Sequence, residues 1–585
     1  VAALFIDDGV MTMGEGSIRG RDRIRRHLIE TVGDGRSGMT EGRLHALLML
    51  SPVVTLDRDY LTARGRWHVM KLSGEFGKSA QWEGGILENE YVREGGAWKI
   101  RREVYYPQFK GPYEDGWRNL VRETKETVKP VPYHYDPDRA GDPIPMPATG
   151  AALRLREKDR VEEVVAGAYE RAQRLNDMAA VQNLQHIYGF YVDRKMWDDV
   201  ADLFTEDGTL EIGQQGVFVG KAGIRRGLSQ FGAAALEEGE VNDHLQLNTI
   251  VTIAPDGRSA KARGTQLRMT GKNGVGAQWG IDTFENAFVK QDGTWRLSSV
   301  HVYHRMTTDY KQGWGKDAQP APGPNPSFPA DRPPTRKYAS YPKVFAPPIH
   351  FDHPAKAVSF KAKSTPPAMD LDAMIAQTRR LLAIAEAFDA SENISNAYGY
   401  YIDEFLWMET GDLFALDGWK ELSYIGTYVG RDRVRDSMIK RYGLNGRRPN
   451  SLAIHQKTQP VIHVASDGRS ARIRSRLFQV NGQTDGEGSY IAGVYENETV
   501  LENGVWKIQG MDLDYTWTTG YKAGWANVAG SESRRFAPQQ PALAQEYPPD
   551  RPLRGVVYAP FPKIADVAFH YRNPVSGREP PLLLR

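Results

Sequence analysis

The chain repeats one pattern three times, and no other feature restricts its fold as much. "ENEYVREGGAWKI" at Glu88 returns as "ENAFVKQDGTWRL" at Glu285 and as "ENETVLENGVWKI" at Glu496. A Gly-Trp pair closes each copy at Trp117, Trp314 and Trp525. The turn "DGRSAKAR" at Asp256 returns as "DGRSARIR" at Asp467, with "DRDYLTAR" at Asp57 a looser copy. The spacing, about 200 residues, is far beyond the roughly 20–50 of a solenoid repeat, so whole domains are duplicated. A chain of 585 residues is also too long for one core. The repeats predict units over 1–150, 151–365 and 366–585.

Within a unit the order is constant. A long amphipathic helix leads to "LF-x-x-DG" and a short strand pair. A second helix follows ("YVGRDRVRDSMIKRYG" from Tyr428), then three or four alternating strands with Gly/Asp turns. Helices before an antiparallel meander give an α+β class: three tandem cone-shaped α+β barrels, each with helices on a curved, mostly antiparallel sheet. The record opens at "VAALFIDDG", which matches "VADLFTEDG" at Val200, so the first unit is expected to begin inside its helical part and to lack an N-terminal segment. Each unit ends in a Pro-rich extended arm with aromatics and a repeated His-Tyr or His-Phe (His134, His350, His570). Such arms are predicted to strap onto a neighbouring domain or subunit, their histidines packed or hydrogen-bonded there, because a plain linker is Gly/Ser-rich.

Composition narrows the function. Formal charges nearly cancel at +2, which gives no electrostatic case for nucleic acid or an anionic membrane. No apolar run approaches the roughly 18 residues of a spanning helix. The absence of cysteine excludes disulfides, thiolate nucleophiles and cysteine-ligated metals, and leans toward an exported bacterial protein while leaving a cytosolic one open. No phosphate loop, dinucleotide fingerprint or Gly-x-Ser-x-Gly elbow is present, so no cofactor is expected.

The chemistry points to "YGFYVDRKMWDDVADLF", read as one helix from Tyr188 to Phe204. Phe190, Asp193 and Trp197 then share a face, which places a carboxylate on an aromatic stripe. "YGYYIDEFLWMETGDLF" repeats the arrangement with Tyr400, Asp403 and Trp407. Registering the following strands on their turns makes His244 and His455 equivalent. On the last strand, residues two apart share a face, so Trp295, Leu297, Ser299, His301 and Tyr303 point one way, as do Trp506, Ile508, Gly510, Asp512 and Asp514. His301, Tyr303, Asp512 and Asp514 are therefore expected inside the cones. His301 and His304 fall on opposite faces, and no metal site is expected. A carboxylate beside an imidazole in an apolar pocket suits general acid–base chemistry. The structural alternative is a buried Asp that accepts hydrogen bonds and a satisfied core histidine. The "EN" glutamates and Gly-Trp tryptophans recur in all three units and read as structural.

The helix "YGFYVDRKMWDDVADLFTEDG", the segment "YVGRDRVRDSM" and the strand pattern "ENxxVxxxGxWKI" together resemble the SnoaL-like branch of the nuclear-transport-factor-2-like superfamily, in three tandem copies. The nearest catalytic likeness is to scytalone dehydratases. It implies an Asp on the first helix, answered by Asp193 and Asp403, and a His at the start of the strand after the helices, answered by His244 and His455. Val192 stands where a tyrosine would be expected, and His45 is two residues out of register with His244, so unit 1 is given no site.

The resulting expectation is a cofactor-independent lyase, dehydratase or isomerase. It would act on a hydrophobic, aromatic or polycyclic small molecule, with Asp193, His244, His301 and Tyr303 as one catalytic set and Asp403, His455, Asp512 and Asp514 as another. Phe190, Trp197, Trp279, Tyr400 and Trp407 would line the pockets. The alternative is a non-catalytic binding or assembly protein, self-associating through sheet faces and arms. An open cone favours the enzyme; a cone plugged by side chains favours assembly.

Overall fold

The computed structural model describes residues 1–14, 16–145, 161–356, 369–422, 425–444, 446–528, 545–554, 561–564 and 567–580. The expected breaks at 150/151 and 365/366 lie outside them. Unit 1 contains β1 (Phe5–Met13), β2 (Gly16–Arg19), α1 (Arg21–His27), β3 (Arg43–Leu56), β4 (Thr62–Glu75), β5 (Ser79–Glu94) and β6 (Ala97–Pro112). Unit 2 runs through α2 (Val161–Asp193), α3 (Trp197–Asp202), β7 (Phe204–Ile212), β8 (Val217–Val219), α4 (Gly220–Ser229), β9 (Glu240–Ile253), β10 (Ser259–Lys272), β11 (Gly276–Gln291) and β12 (Thr294–Asp309). Unit 3 follows as α5 (Leu371–Asp403), α6 (Trp407–Asp412), β13 (Phe414–Leu422), β14 (Gly426–Val429), α7 (Arg431–Tyr442), β15 (Ser451–Val464), β16 (Ser470–Gln483), β17 (Ser489–Glu502) and β18 (Val505–Gly520). No helix among the described residues is long and apolar enough to cross a membrane.

Each unit forms a six-stranded sheet in the order β2-β1-β6-β5-β4-β3 or its counterpart. The sheets are mixed, because β1, β7 and β13 run parallel to the last strand of their unit. In units 2 and 3 the long helix lies in the concave face of the sheet. Leu184, Ile187 and Val200 meet Phe284, Leu297, Val300 and Val302 there, the apolar stripe of a period-3.6 segment against the alternating face of strands.

Two local departures from the expected reading decide where side chains point. The segment from Tyr188 to Phe204 is not one helix. It breaks after Asp193 at Lys195, whose φ of 51° is left-handed, and unit 3 breaks likewise after Asp403 at Phe405, φ 55°. Asp193 and Asp403 are thus the last residues of their helices. The second departure is a β-bulge on the last strand of every unit, seen as a jump in register between Phe288↔Leu297 and Ala287↔Ser299 and at the matching places in units 1 and 3. One inserted residue exchanges the faces beyond it. Leu297 points into the cone, but so do Val300 and Val302.

The convex faces of the three sheets pack on one another around a pseudo-threefold axis. Trp82, Trp117, Trp279, Trp314 and Trp525 are all fully buried there with Tyr490. A ring of tyrosines closes it. Tyr113 Oη donates to Tyr310 O at 2.5 Å, Tyr310 Oη to Tyr521 O, and Tyr521 Oη to Tyr113 O at 2.6 Å. The glycine of each Gly-Trp pair makes this possible: Gly116, Gly313 and Gly524 have φ of 60°, 65° and 57°, and a Cβ on each would strike the tyrosine of another unit.

The Pro-rich segments return to the sheets through a repeated clasp. Glu88 accepts from Arg66 and contacts His134 Nδ1 at 2.8 Å; Glu285 holds Arg263 and His350 at 2.7 Å; Glu496 holds Arg474 and His570 at 2.6 Å. These are the "EN" glutamates and the arm histidines, in structural roles. Beyond the clasp, Tyr133 stacks on Tyr401 of unit 3 at 4.6 Å, and Phe569 meets Tyr191 of unit 2 at 5.6 Å.

Candidate active site

A carboxylate at the C-terminal end of a helix faces the negative end of the helix dipole, so it needs compensation. Both units supply part of it identically. The backbone N–H of His244 donates to Asp193 Oδ1 at 2.6 Å, and that of His455 to Asp403 Oδ1 at 3.0 Å. The strand registers place His244 opposite Arg268 and His455 opposite Gln479, which are equivalent positions, as the sequence predicts.

The rest of the compensation comes from a different unit each time. Arg66, Arg263 and Arg474 are equivalent through their glutamate partners, so two residues on, His68, Thr265 and Arg476 also correspond. Two of these side chains, His68 and Arg476, leave the convex face of one sheet and enter the neighbour's site. Arg476 of unit 3 pairs with Asp193 of unit 2 and with Asp243 at 3.0 Å. Burial pushes this guanidinium down to about 9, which leaves it charged at neutral pH. His68 of unit 1 places Nε2 3.4 Å from Asp403 Oδ2 in unit 3 and stacks on Tyr400 at 4.1 Å. Burial pushes His68 below its ordinary value, so this partner brings no fixed charge.

The two dyads differ accordingly. In unit 3, His455 Nδ1 lies 2.6 Å from Asp403 Oδ1, and among the described residues its Nε2 has no hydrogen-bond partner. Burial raises the Asp403 carboxyl to about 7 and lowers His455 to about 3. A carboxyl near half-protonation therefore stands against a neutral imidazole. In unit 2, His244 Nδ1 is 3.5 Å from Asp193 and 3.2 Å from Asn242 O, and burial lowers it to about 4.

The cone of unit 2 is filled by a hydrogen-bonded chain. Asn286 donates to Gln185 at 2.7 Å, Gln185 to Gln246 at 2.9 Å, Gln246 to Gln266 at 2.9 Å, and Gln266 to Asp282 at 2.8 Å. Asp282 also receives Arg268 at 3.2 Å and meets His304 Nδ1 at 2.8 Å. Burial opposes its charge, but Arg268 and His304 outweigh burial and hold the carboxyl below its usual range. Unit 3 carries Asn497, Ser395, Lys457, Leu477 and Gly493 at the positions of Asn286, Gln185, Gln246, Gln266 and Asp282. Two of these replacements, Ser395 and Gly493, are much smaller, and the chain is broken. A void of about 40 Å³ opens instead at Asp193, between Phe190, Arg476, Trp517 and Phe561.

Several predicted residues lie elsewhere. Because of the bulge, His301 and Tyr303 do not enter the cone of unit 2. They stack on each other at 3.8 Å, with Glu211 3.5 Å from His301 Nδ1 and Phe345 5.6 Å from Tyr303. Burial lowers His301 to about 4. Asp512 and Asp514 occupy the same outward positions in unit 3, since Asp512 pairs across from Glu496 while Met511 and Leu513 are in the core. Burial, with Asp514 beside it, raises Asp512 to about 8. The corresponding groove of unit 1 is a void of about 190 Å³ lined by Arg64, Arg102, Tyr106, Tyr133 and His134. Trp279 belongs to the threefold core, where its Nε1 donates to Tyr113 Oη at 3.1 Å, and lines no cone. Tyr400 faces unit 1, with Oη donating to Ser51 O at 2.8 Å. Trp197 donates to Gly232 O at 3.0 Å, whereas Trp407 stacks between Phe405 (5.2 Å) and Tyr442 (5.1 Å). Phe190 lines the inter-unit void. His68, Arg476, Lys457 and Asn497 escape a single-unit reading; aligning the three copies at those columns is the signal that exposes them.

No curated protein matches the chain significantly. Similar solved structures each cover one unit. A candidate scytalone dehydratase from Novosphingobium aromaticivorans is 18% identical, covering 26% of this chain and 96% of that one, with a TM-score of 0.22. ActVI-ORFA from Streptomyces coelicolor is 25% identical over 22% and 95%, TM-score 0.20. A type 2 hexachlorocyclohexane dehydrochlorinase, LinA, is 20% identical over 26% and 93%, TM-score 0.21. These scores are too low to bear on function. The profile of the SnoaL-like domain matches residues 1–103, 173–301 and 385–512. With more than half its length matched, once in each unit, the chain belongs to the SnoaL-like domain family.

Proposed function

We propose that the chain is a cofactor-independent acid–base enzyme, a lyase, dehydratase or isomerase of a hydrophobic aromatic molecule, and that its working site is the cone of unit 3. The observation that carries this reading is the contact of 2.6 Å between buried Asp403 and half-buried His455, whose Nε2 has no hydrogen-bond partner among the described residues. Nε2 is the base. It takes a proton from carbon, while Asp403, bound at Nδ1, fixes the tautomer and balances the imidazolium that forms. Asp403 acts ionised, accepting from Nδ1–H, and Nε2, protonated in the first step, returns that same proton to a departing or newly formed oxygen. His68 holds the second carboxylate oxygen as a positioning residue. Trp407, Phe405 and Tyr442 offer flat apolar surface for an aromatic substrate.

Unit 2 supports the rival reading for itself. Its Asp193 is committed to Arg476, and its cone is occupied by the amide chain. We assign it an assembly role, with Arg476 and Asp193 joining units 2 and 3.

The test is proton exchange without added cofactor. A panel of aryl ketones is incubated with the full chain in D₂O, and deuterium at the α-carbon is followed by NMR, with dehydration of matched β-hydroxy ketones as a second readout. Exchange or dehydration is expected in the wild type and in His244→Gln. It should fall by about 10²–10⁴-fold in His455→Gln. Activity that survives His455→Gln, or none above background on any compound, removes the proposal.

A further inference from the structure

The three cones differ most sharply at two positions that the dyad does not use. On the first strand of each sheet, Met11, Leu210 and Lys420 correspond, since they pair with Ile18, Phe218 and Tyr428. On the strand that carries the dyad histidine, Met49, Gln246 and Lys457 correspond. Units 1 and 2 thus have apolar or amide side chains where unit 3 has two lysines. Both are buried, at 6% and 3% exposure, and neither makes an ion pair among the described residues. Their Nζ atoms lie 5.3 and 4.6 Å from the centroid of one ring, Tyr398, and Lys457 donates to Ser395 O at 2.7 Å.

Burying an ammonium without an ion pair is costly, and burying two beside each other is worse; Asp512 and Glu421 act on Lys420 only from beyond ion-pair distance. Methionine or leucine serves the fold at the same positions elsewhere in this chain, so folding does not require the lysines. A third group points to the same place. Asn497, 2% exposed, has no hydrogen-bond partner for either side-chain atom among the described residues, whereas its counterpart Asn286 in unit 2 anchors the amide chain. A buried amide left without partners is expensive as well. Ser395 and Gly493 stand where unit 2 has a glutamine and an aspartate of its amide chain.

We infer that the cone of unit 3 binds an aromatic carboxylate, its anionic oxygens received by Lys420, Lys457 and the Asn497 amide. This inference rests on the reading of unit 3 as the working site and adds the charge of its ligand. The anion supplies the ion partner that both lysines lack among the described residues, and the aromatic part lies against Trp407 and its stacked neighbours. Burial and the nearby Arg441 push Lys420 down to about 7 and burial lowers Lys457, so a bound carboxylate, which favours the charged amine, should bring proton uptake at Lys420.

The probe is naphthoate, with neutral naphthamide as its control. Each is titrated into the full chain at pH 7 by calorimetry in two buffers of different ionisation enthalpy. Saturable naphthoate binding is expected, at least about tenfold tighter than naphthamide and accompanied by proton uptake. Lys420→Met with Lys457→Gln, which installs residues found in units 1 and 2, should weaken naphthoate by about tenfold or more. If that double variant does not fold, Lys420→Met alone makes the same test. Lys343→Met, at an exposed lysine outside the cones, should not weaken naphthoate. Naphthamide binding as tightly as naphthoate, unchanged affinity in the lysine variant, or no saturable naphthoate binding overturns the inference. Lysine-dependent naphthoate binding without any ketone exchange would refute the acid–base reading alone. Exchange that ignores the lysines, with no naphthoate binding, would do the reverse.

Discussion

Units 2 and 3 place the same carboxylate on the same helix end and the same histidine on the same strand, yet they hold different chemistry. The difference lies in one residue lent by a neighbour. Arg476 gives Asp193 a permanent counter-charge and ties it to the interface, whereas His68 gives Asp403 a neutral ring. A buried carboxylate with a cation is a structural ion pair; one with only imidazoles keeps its proton available near neutrality. Duplication copied the dyad, and the packing of sheet on cone then set which copy could react.

The largest effect is expected from breaking unit 2's side of this contrast. Arg476→Ala leaves Asp193 and Asp243 buried without their cation and should cost about 3–5 kcal/mol in denaturant unfolding. A cost under about 1 kcal/mol would show that Asp193 is not held as an ion pair. Asp403→Asn should do the opposite in unit 3. The folded carboxyl titrates near 7 against an unfolded value of 3.8, so folding stability falls as pH rises from about 4 through 7. The asparagine variant escapes that loss. It should be more stable than wild type by up to about 4 kcal/mol at pH 8, with the gain shrinking toward pH 4. A gain independent of pH would contradict the raised carboxyl. His68→Phe sharpens the comparison, because it keeps the ring and removes the bond that favours ionised Asp403. The acid limb of the exchange reaction, where Asp403 loses its proton, should move up by roughly one pH unit, read from its pH profile; no movement would make His68 mere packing. Last, Tyr310→Phe removes one hydrogen bond from the ring that all units share, at about 1 kcal/mol in thermal unfolding, and should leave both dyads untouched.

Much of the fold could be read from the repeats, because glycines, tryptophans and alternating strands report local geometry directly. The pairing of Asp193 with His244 and of Asp403 with His455 could be read too, since turns fix the register of adjacent strands. Three things could not. The bulge before His301 leaves no mark in the sequence, yet it turns His301, Tyr303, Asp512 and Asp514 away from the cones. Trp279 and Tyr400 look like pocket aromatics until the convex sheet faces are seen to pack on other units. His68 and Arg476 reach carboxylates 335 and 283 residues away in sequence, and local pattern carries no trace of that. Phe190 and Trp197 illustrate the same limit, as the break at Lys195 separates side chains that a continuous helix would align.

The tyrosine ring has a consequence for copy number. Each phenol donates to the carbonyl of the next unit, and the third returns to the first. Such a cycle closes at three and at no other count: two units would leave a donor and an acceptor stranded, and a fourth would find no vacancy. Linking the three units in one chain makes a stoichiometry, ordinarily set by concentration and affinity, a fixed property of the polypeptide. Sister sites can then drift apart under separate selection while their ratio stays one to one to one.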